Sequence, residues 1–325
     1  MDEKLVAMLT EYARRIMYNT PIHKLSENLN NNAFYMKRED LLPFSFGGNK
    51  ARKAEKFKED ILNKKADTVV TYGSSESNHC RIIANMCASL NITCHIISPE
   101  EEYINTNNSR LIEFFGAKVT KAPLKAISDT IDKIIEEYKR NGKKVYFIPG
   151  GGHGNLGTEA YIDAYREIVD YEDKKNIYFD YIFFASGTGT TQAGLICGQI
   201  NNNDSKRKIV GISIARNKEK GENIIHESIK SYIQDDNDYS KYIIFDDSYT
   251  NSGYNKYGTD TIKAIKKVLK EDGIALNTTY TGKAYNGMLD YIKKNNIAGK
   301  NILFINTGGT PLFFDNIEEI IKWTS

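Results

Sequence analysis

Residues 181–200 read YIFFASGTGTTQAGLICGQI, and this stretch decides the fold class. It begins with a continuous apolar run, which is typical of a strand that is buried on both faces. Small residues follow at 186–191, and a helical pattern follows at 192–200. The sequence therefore predicts a strand, a tight loop and a helix in immediate succession.

The same order of elements recurs along the chain. Amphipathic patterns at 82–90, 111–115 and 131–138 predict helices, and the polar stretch 218–240 predicts a surface helix with a loop. Strand–helix alternation predicts an α/β fold, with parallel sheets that carry helices on both faces. Ligands of such sheets bind beyond the carboxyl ends of the strands. The predicted strands are residues 68–72, 93–97, 145–148, 181–185, 209–214, 242–245 and 302–305.

The composition excludes several classes of protein. The chain has 325 residues, enough for two domains or one large α/β unit, and a formal net charge of +2. This charge indicates neither a nucleic-acid partner nor a polybasic membrane contact. No apolar run is long enough to span a membrane, and Met1-Asp2-Glu3-Lys4 does not resemble the start of a signal peptide. Four cysteines are too few for a disulfide scaffold, so the expected location is the cytoplasm.

The loop at 186–191 has the composition of a phosphate cradle. Its small residues let the backbone approach an oxyanion, and the amides that begin the next helix favour an anion. It is not a Walker loop, because no Gly-Lys-Ser/Thr follows, and Gln192 stands where a dinucleotide fingerprint has its third glycine. A small phosphate ester therefore fits this loop better than a dinucleotide does. A plain glycine-rich turn is the alternative.

Three further loops of small residues follow predicted strands: GSSESNH at 73–79, GGGHGNLG at 150–157 and NTGGTP at 306–311. In the first loop, Ser77 and Asn78 fall at the start of a helix, where a carboxylate could be held or where they could simply cap the helix. Four such loops at strand ends indicate one composite site.

The segment GGNKARK at 47–53 places Lys50 after a turn and at the start of a predicted helix. The positive end of a helix dipole favours the neutral form of an amine, and Schiff-base chemistry requires a neutral lysine. A single lysine is ordinarily a solvated side chain, so this identification depends on the neighbouring loops.

No metal site is predicted. Cys80, Cys87 and Cys94 lie near His79 and His95, but neither a Cys-x-x-Cys nor a His-x-x-x-His spacing occurs. We expect buried thiols instead.

Together these motifs resemble the pyridoxal-phosphate enzymes of fold type II, the tryptophan-synthase-β-like group. The closest resemblance is to the 1-aminocyclopropane-1-carboxylate deaminase/D-cysteine desulfhydrase family. It implies an α/β fold with two parallel-sheet three-layer domains: residues 1–48 plus 155–325 as a large cofactor domain, and residues 49–154 as a small inserted domain. The matching motifs are Thr20-Pro21, KREDL at 37–41, GGNKARK at 47–53, SNH at 77–79, TGTTQAG at 188–194 and YTGKA at 280–284.

The resemblance implies pyridoxal 5'-phosphate as the cofactor, and it implies roles for individual residues. Lys50 would form the internal aldimine, and Asn78 would hydrogen-bond the phenolic oxygen of the cofactor. Ser77 would meet the substrate carboxylate or a leaving group, and Tyr257 and Tyr280 match active-site tyrosines of the family. The cofactor phosphate would be held by Gly187, Thr188, Gly189, Thr190 and Thr191.

The substrate, a small amino acid, is expected to face Glu76, Ser77, Asn78, His79 and His153. Glu76 stands where the family usually carries glutamine, and the loop around His153 is richer in histidine and glycine than the family pattern. Asn306 stands where the desulfhydrase branch often has histidine.

Thr281 separates the two branches of the family. The deaminase branch has a glutamate here, and a carboxylate favours a protonated pyridinium, which is a strong electron sink. A threonine hydroxyl donates to a neutral pyridine nitrogen and stabilises a carbanion less. Thr281 is therefore predicted to bind the cofactor, and it favours β-elimination from a D-cysteine-like amino acid to a 2-oxo acid, ammonia and the leaving group.

Three alternatives remain at this point. They are ring-opening deamination of the 1-aminocyclopropane-1-carboxylate type, β-replacement of the cysteine-synthase type, and a binding protein that keeps the fold without turnover. Family resemblance also leads us to expect a homodimer.

Overall fold

The computed structural model of the protein describes residues 18–100, 104–250, 253 and 256–322. Met1-Asp2-Glu3-Lys4, on which the expectation about a signal peptide rests, lies outside these residues. No helix in this part of the chain is both long enough and apolar enough to cross a membrane.

The described chain forms ten strands. They are β1 Ile22–Lys24, β2 Ala33–Lys37, β3 Thr68–Tyr72, β4 Thr93–Pro99, β5 Lys118–Ala122, β6 Val145–Ile148, β7 Tyr181–Ser186, β8 Lys208–Ser213, β9 Ile244–Asp246 and β10 Asn301–Ile305.

Eleven α-helices of the described chain lie before, between and after these strands. They are α1 Asn49–Asn63, α2 Asn78–Leu90, α3 Asn107–Phe114, α4 Ile127–Arg140, α5 Asn155–Lys175, α6 Thr190–Asn201, α7 Lys218–Ile233, α8 Thr259–Asp272, α9 Thr281–Lys294, α10 Thr310–Asp315 and α11 Ile317–Lys322.

The strands form two sheets. The order in the six-stranded sheet is β1-β2-β10-β7-β8-β9, and the order in the four-stranded sheet is β5-β4-β3-β6. Every neighbouring pair is parallel except β1 and β2. The four-stranded sheet uses consecutive strands, whereas the six-stranded sheet takes strands from both sides of them in the chain. The predicted α/β fold with parallel sheets is confirmed.

Helices cover both faces of the six-stranded sheet, which makes it the middle of three layers. Side chains alternate along a strand between the two faces of the sheet. Phe183 and Phe304 therefore pack with α8 and α9 in the core on one face. Phe184 and Leu303 pack with α5 and α6 in the core on the other face. All four side chains are buried, and burial of each contributes about 2 kcal/mol. The four-stranded sheet is layered in the same way, with α1 and α2 on one face and α4 on the other.

All seven predicted strands are present: those at 68–72 and 145–148 have the predicted ends, and the other five have shifted ends. The run at 242–245 becomes a strand only at Ile244, because residues 240–242 form a 3-10 turn. Strands β1, β2 and β5 were not predicted from the sequence. The edge strand β5 was missed because it exposes Lys118 and Lys121 and has no continuous apolar run. The stretch 218–240 does contain a helix, but α7 buries Ile225 and Ile229 and is more than a surface element.

A buried ion-pair network fixes α1 against the larger sheet. The Nε and Nη2 atoms of Arg52 donate to the two carboxylate oxygens of Glu39 over 2.6 and 2.7 Å. Nη1 of Arg52 donates to Glu167 on α5 over 2.6 Å. Lys37 at the end of β2 also donates to Glu167, over 2.5 Å. Burial alone would raise the pKa of Glu39, but Arg52 and Lys37 outweigh it and hold that pKa at about 2.

We predict that Glu39→Gln lowers the free energy of unfolding by about 3 kcal/mol, because it leaves a buried guanidinium without its bidentate carboxylate. Denaturant unfolding followed by circular dichroism measures this change. Glu136→Gln is the control: Glu136 forms a solvent-exposed pair with Lys139, and its loss should leave the unfolding midpoint unchanged.

The difference in the free energy of unfolding between wild type and Glu39→Gln should depend on pH. The pKa of Glu39 is about 2 in the folded protein and 4.5 when the group is unperturbed, so its stabilising contribution is complete above pH 4.5 and is lost as the pH falls toward about 2. The difference between wild type and Glu39→Gln should therefore shrink with acidification. A difference that stays constant over this range would contradict the assignment.

Candidate active site

A cleft of about 400 Å³ lies where the loops after β3, β6, β7, β8 and β10 meet the start of α1. All four loops of small residues reach it, because the carboxyl ends of the parallel strands in both sheets face the same space. Lys50 and Arg216 are the charged side chains in the wall, and no carboxylate contributes to it among the described residues.

Lys50 lies in the first turn of α1 and enters the cleft. Its Nζ atom donates to the carbonyl of Gly151 over 2.9 Å. Burial lowers the pKa of the Lys50 amine from 10.5 to about 8. The sequence analysis expected a lowered pKa from the helix dipole, and the structure gives desolvation as the cause. A substantial neutral fraction of this amine is thus available near physiological pH.

Two glycine loops set the position of Lys50. The backbone N–H of Asn49 donates to the carbonyl of Thr307 over 3.0 Å. At Gly308 a Cβ atom would lie 2.5 Å from the Cα of Gly48, so the two backbones can touch only because neither residue has a side chain. This contact joins the start of α1 to the loop after β10.

A second buried lysine, Lys53, follows one turn later on the same helix. Its Nζ atom donates to the hydroxyl of Thr190, the first residue of α6, over 2.6 Å. Burial, together with the neighbouring Lys50, lowers the pKa of Lys53 well below its usual value. The sequence analysis did not single out Lys53. The signal was its place three residues after Lys50 in GGNKARK, since residues three apart share a helix face.

The loop of Gly187, Thr188 and Gly189 is held in place by donors from three other segments. Nε of Arg216 donates to the carbonyl of Gly187 over 2.8 Å, and Nδ1 of His153 donates to the carbonyl of Thr188 over 3.3 Å. The side-chain amide of Asn49 donates to the hydroxyl of Thr191 over 3.2 Å. These bonds use carbonyl and hydroxyl oxygens, so the amides of the loop and of the first turn of α6 remain oriented for an anion.

Ser77 and Asn78 stand at the start of α2, in the cleft wall. Ser77 is the N-cap, and its hydroxyl oxygen accepts from the backbone N–H of Cys80 over 3.2 Å. The side-chain oxygen of Asn78 accepts from Asn108 on α3 over 3.0 Å. The bond to Asn108 leaves the NH₂ group of Asn78 as the donor on the cleft side.

His79 also touches the cleft, but its ring nitrogen Nε2 is bonded on the opposite side, to the hydroxyl of Thr71 on β3, over 2.8 Å. The Thr71 hydroxyl itself donates to the carbonyl of Ile148, so it must accept from Nε2–H of His79. Burial, with Lys50 and Lys53 nearby, lowers the pKa of His79 well below its usual value, so the ring is neutral.

Tyr280 and Thr281 begin α9 and are organised by Asn277, which the sequence analysis missed. The backbone N–H of Tyr280 donates to the side-chain oxygen of Asn277 over 2.7 Å. The hydroxyl oxygen of Thr281 accepts from both the backbone N–H and the side-chain amide of Asn277, each over 3.0 Å. The same amide donates to the carbonyl of Gly308 over 2.9 Å. Tyr280 lines the cleft, and Thr281 is completely buried behind it.

The structure does not bring every predicted site residue to the cleft wall. The hydroxyl of Tyr257 donates to Glu319 on α11 over 2.6 Å, away from the cleft. Glu76 is buried outside the wall, and its carbonyl accepts from Asn108 over 2.8 Å. His153 contacts the loop after β7 from outside the wall, and Thr190 lies behind that wall against Lys53. Thr281, predicted to bind the cofactor, is also buried behind the wall.

The groups in this cleft fit a phosphate ester that carries an aldehyde. A buried amine with a lowered pKa stands beside Gly151, where a Cβ atom would lie 3.4 Å from the Lys50 nitrogen and 2.6 Å from a Thr188 carbon. The amine and the anion-binding loop therefore flank one small residue. The described wall contains no carboxylate, so no negative charge there would repel a bound phosphate.

Comparison with known proteins agrees with this geometry. A family model described as pyridoxal-phosphate dependent enzyme matches residues 14–308. The chain is 32% identical over 334 residues to a Pyrococcus abyssi protein that is provisionally named a 1-aminocyclopropane-1-carboxylate deaminase, with 99% of each chain covered. It is 31% identical over 311 residues to a D-cysteine desulfhydrase of Serratia proteamaculans, covering 91% of this chain and 92% of that protein.

The fold is shared with a solved structure as well. A crystal structure described as that of an ACC deaminase homologue superposes with a TM-score of 0.81 at 31% identity, covering 93% of each chain. These comparisons confirm the fold type II architecture.

The lowered pKa of Lys50 predicts how fast the protein without cofactor takes up pyridoxal 5'-phosphate. Only the neutral amine attacks an aldehyde, and below the pKa its fraction rises about tenfold per pH unit. The rate of covalent loading, followed by absorbance, should rise with pH and level off near pH 8. A rate that still rises tenfold per unit at pH 9 would show an ordinary solvated lysine. Lys50→Ala, which has no amine, is the control.

Proposed function

Because the chain belongs to the pyridoxal-phosphate-dependent enzyme family, we propose that it is a lyase that performs β-elimination on a small amino acid, with D-cysteine as the substrate. The products are pyruvate, ammonia and hydrogen sulfide, with one water consumed. The observation that carries this proposal is the buried hydroxyl of Thr281 at the start of α9, a helix whose first turn has no acidic residue.

Thr281 acts on the cofactor as a hydrogen-bond donor in this proposal. Its oxygen already accepts two hydrogen bonds from Asn277, which fills both acceptor sites, so only its hydrogen is left to act on the cofactor. A donor suits a neutral ring nitrogen. A neutral ring withdraws electrons less strongly than a pyridinium, which suffices to expel a thiolate but suits the opening of a cyclopropane less well.

The other cofactor contacts follow from the cleft wall. Pyridoxal phosphate supplies an aldehyde for the substrate amine and a conjugated ring that takes up electrons from the α-carbon. Asn78 donates its amide N–H to the phenolic oxygen. The backbone of Gly187–Thr191 and the threonine hydroxyls hold the phosphate, and Lys53 supports this loop from behind through its hydrogen bond to Thr190.

Lys50 anchors the cofactor and moves the proton of the substrate. Its Nζ atom would hold the cofactor through the aldehyde carbon. Once the amine of the substrate replaces it at that carbon, the freed Lys50 amine would accept the proton from the α-carbon. A pKa of about 8 lets the amine both take up and release a proton near neutral pH. The Gly151 carbonyl, 2.9 Å from the Lys50 nitrogen, orients the amine before the cofactor binds.

The start of α2 receives the substrate carboxylate. Its amides carry partial positive charge, and the Ser77 hydroxyl keeps a hydrogen to donate because its oxygen accepts from Cys80. Tyr280 lines the same cleft from the start of α9, and we assign it the contact with the β-substituent. The Arg216 guanidinium adds a positive charge at the wall.

Two domains form the cleft in this proposal: residues 1–48 plus 155–325 as the larger, and residues 49–154 as the smaller. The four-stranded sheet lies wholly within the second range, which supports this division. Closure of the two around the substrate would exclude water. We further propose a homodimer and a cytoplasmic location, by analogy with the family.

Ring-opening deamination is the second candidate, favoured by the name of the Pyrococcus relative. A panel of substrates separates the possibilities. D-Cysteine should release sulfide and pyruvate in equal amounts, and Lys50→Ala should release neither. 2-Oxobutyrate from 1-aminocyclopropane-1-carboxylate, with no pyruvate from D-cysteine, would establish the deaminase instead. Formation of cysteine from O-acetylserine and sulfide would establish β-replacement.

We predict that Thr281→Val lowers kcat for D-cysteine at least about tenfold, because one hydrogen bond to the cofactor is worth about 1.4 kcal/mol. Thr281→Ser keeps the hydroxyl and should stay close to wild type. The absorbance of the bound cofactor tests both variants for loading. Equal kcat in both loaded variants would exclude a role for the hydroxyl.

A further inference from the structure

Lys283 on α9 is a buried cation that the proposed chemistry does not use. Its side chain is 1% exposed. Its Nζ atom donates to three backbone carbonyls: Ile214 over 3.2 Å, Gly253 over 3.1 Å and Thr250 over 3.4 Å. These oxygens come from two segments far apart in the chain, the end of β8 and the loop before α8.

Carbonyl oxygens accept hydrogen bonds and donate none, and three of them can be satisfied together only by the three N–H donors of the ammonium form of Lys283. Burial lowers the pKa of Lys283 to about 8, which still leaves the amine mostly protonated at pH 7. Backbone carbonyls that converge on one point are also the ligands by which proteins bind potassium in place of its water shell. An ammonium group presents the same unit charge to the same oxygens.

We propose that the ammonium of Lys283 is a built-in monovalent cation: it takes the place that a potassium or ammonium ion would fill among the carbonyls of Ile214, Thr250 and Gly253. Lys283 is thereby a positioning residue for the cofactor site. The proposal is independent of which amino acid is the substrate.

The place of this cation in the fold explains its effect on the cleft. Ile214 lies in the cleft wall, and its side chain lies against Gly187, where a Cβ atom would be 3.5 Å away. Lys283 itself lies in the first turn of α9, three residues after Tyr280 and two after Thr281. One buried charge therefore joins the loop after β8, the loop before α8 and the helix that begins at the cleft. Losing this charge should loosen the phosphate loop and Thr281 together.

Two variants test the proposal by separating loss of charge from the creation of space. Lys283→Ala opens a cavity among the carbonyls, whereas Lys283→Met removes the charge but fills the same volume. Lys293→Ala removes an exposed lysine from the same helix and is the matched control. Each protein is prepared without cofactor at pH 7 and studied in potassium, ammonium or tetramethylammonium chloride at one ionic strength of about 0.1 M.

The readouts are the thermal unfolding midpoint of the cofactor-free protein and its affinity for pyridoxal 5'-phosphate. Loss of one charged hydrogen-bonding group should weaken cofactor affinity about tenfold or more in Lys283→Met, whatever the salt. Lys283→Ala should be equally weak in tetramethylammonium and should recover most of its affinity and thermal midpoint in potassium or ammonium. Wild type and Lys293→Ala should not respond to the identity of the cation.

Several results would overturn the proposal. If the thermal midpoint and cofactor affinity of Lys283→Ala are the same in all three salts, the carbonyls form no cation site. If Lys283→Ala is insoluble in every salt, potassium and ammonium do not rescue it, and the proposal is contradicted as well. Lys283→Met with the cofactor affinity of wild type would show that the charge is not needed. A wild type that itself requires potassium would show that Lys283 does not replace the ion.

Discussion

The bidentate pairing of Arg52 with Glu39 fixes the helix on which the rest of the site depends. One turn of α1 contains Lys50, Arg52 and Lys53, and each side chain contacts a different part of the structure. Lys50 reaches Gly151 in the cleft, Arg52 reaches the carboxylates behind it, and Lys53 reaches Thr190 at the anion-binding loop. A fork of two hydrogen bonds to one carboxylate allows little rotation, so Arg52 sets the direction of both lysines.

The same pairing explains the electrostatics of the cleft. Glu39 and Glu167 are both engaged by Arg52 and Lys37, on the side of α1 that faces away from the wall. The described wall itself has no carboxylate. A carboxylate beside Lys50 would raise the pKa of its amine, and it would repel both a phosphate and the carboxylate of an amino acid. Satisfying the acidic residues behind the helix therefore keeps the Lys50 amine partly neutral and the cleft attractive to anions.

The sequence predicted the backbone elements well, but it predicted less well which groups individual side chains contact. Apolar runs and loops of small residues predicted the strands and the convergence of their loops, because burial and backbone conformation are local properties. Tyr257 was expected in the cleft because Tyr257-Gly258 resembles an active-site tyrosine position of the family, but its hydroxyl donates to Glu319, 62 residues later. Lys53 and Asn277 were missed although Lys53 follows Lys50 by three residues and Asn277 bonds the nearby Tyr280 and Thr281, because one partner of each that ties it to the site is distant in the chain. Their partners, Thr190 and Gly308, become neighbours only after folding.

Asn277 shows how a residue outside the recognised motifs determines what a motif residue does. A threonine hydroxyl can accept or donate, so Thr281 alone does not specify the state of a ring nitrogen beside it. Two hydrogen bonds from Asn277 occupy the oxygen and leave donation as the only remaining role. The same asparagine holds Tyr280 and Gly308, so the donor, the tyrosine and the loop that touches Gly48 are set by one buried amide. In the proposed function, the choice between eliminating a thiolate and opening a ring therefore depends in part on Asn277, a buried side chain that does not line the described cleft wall.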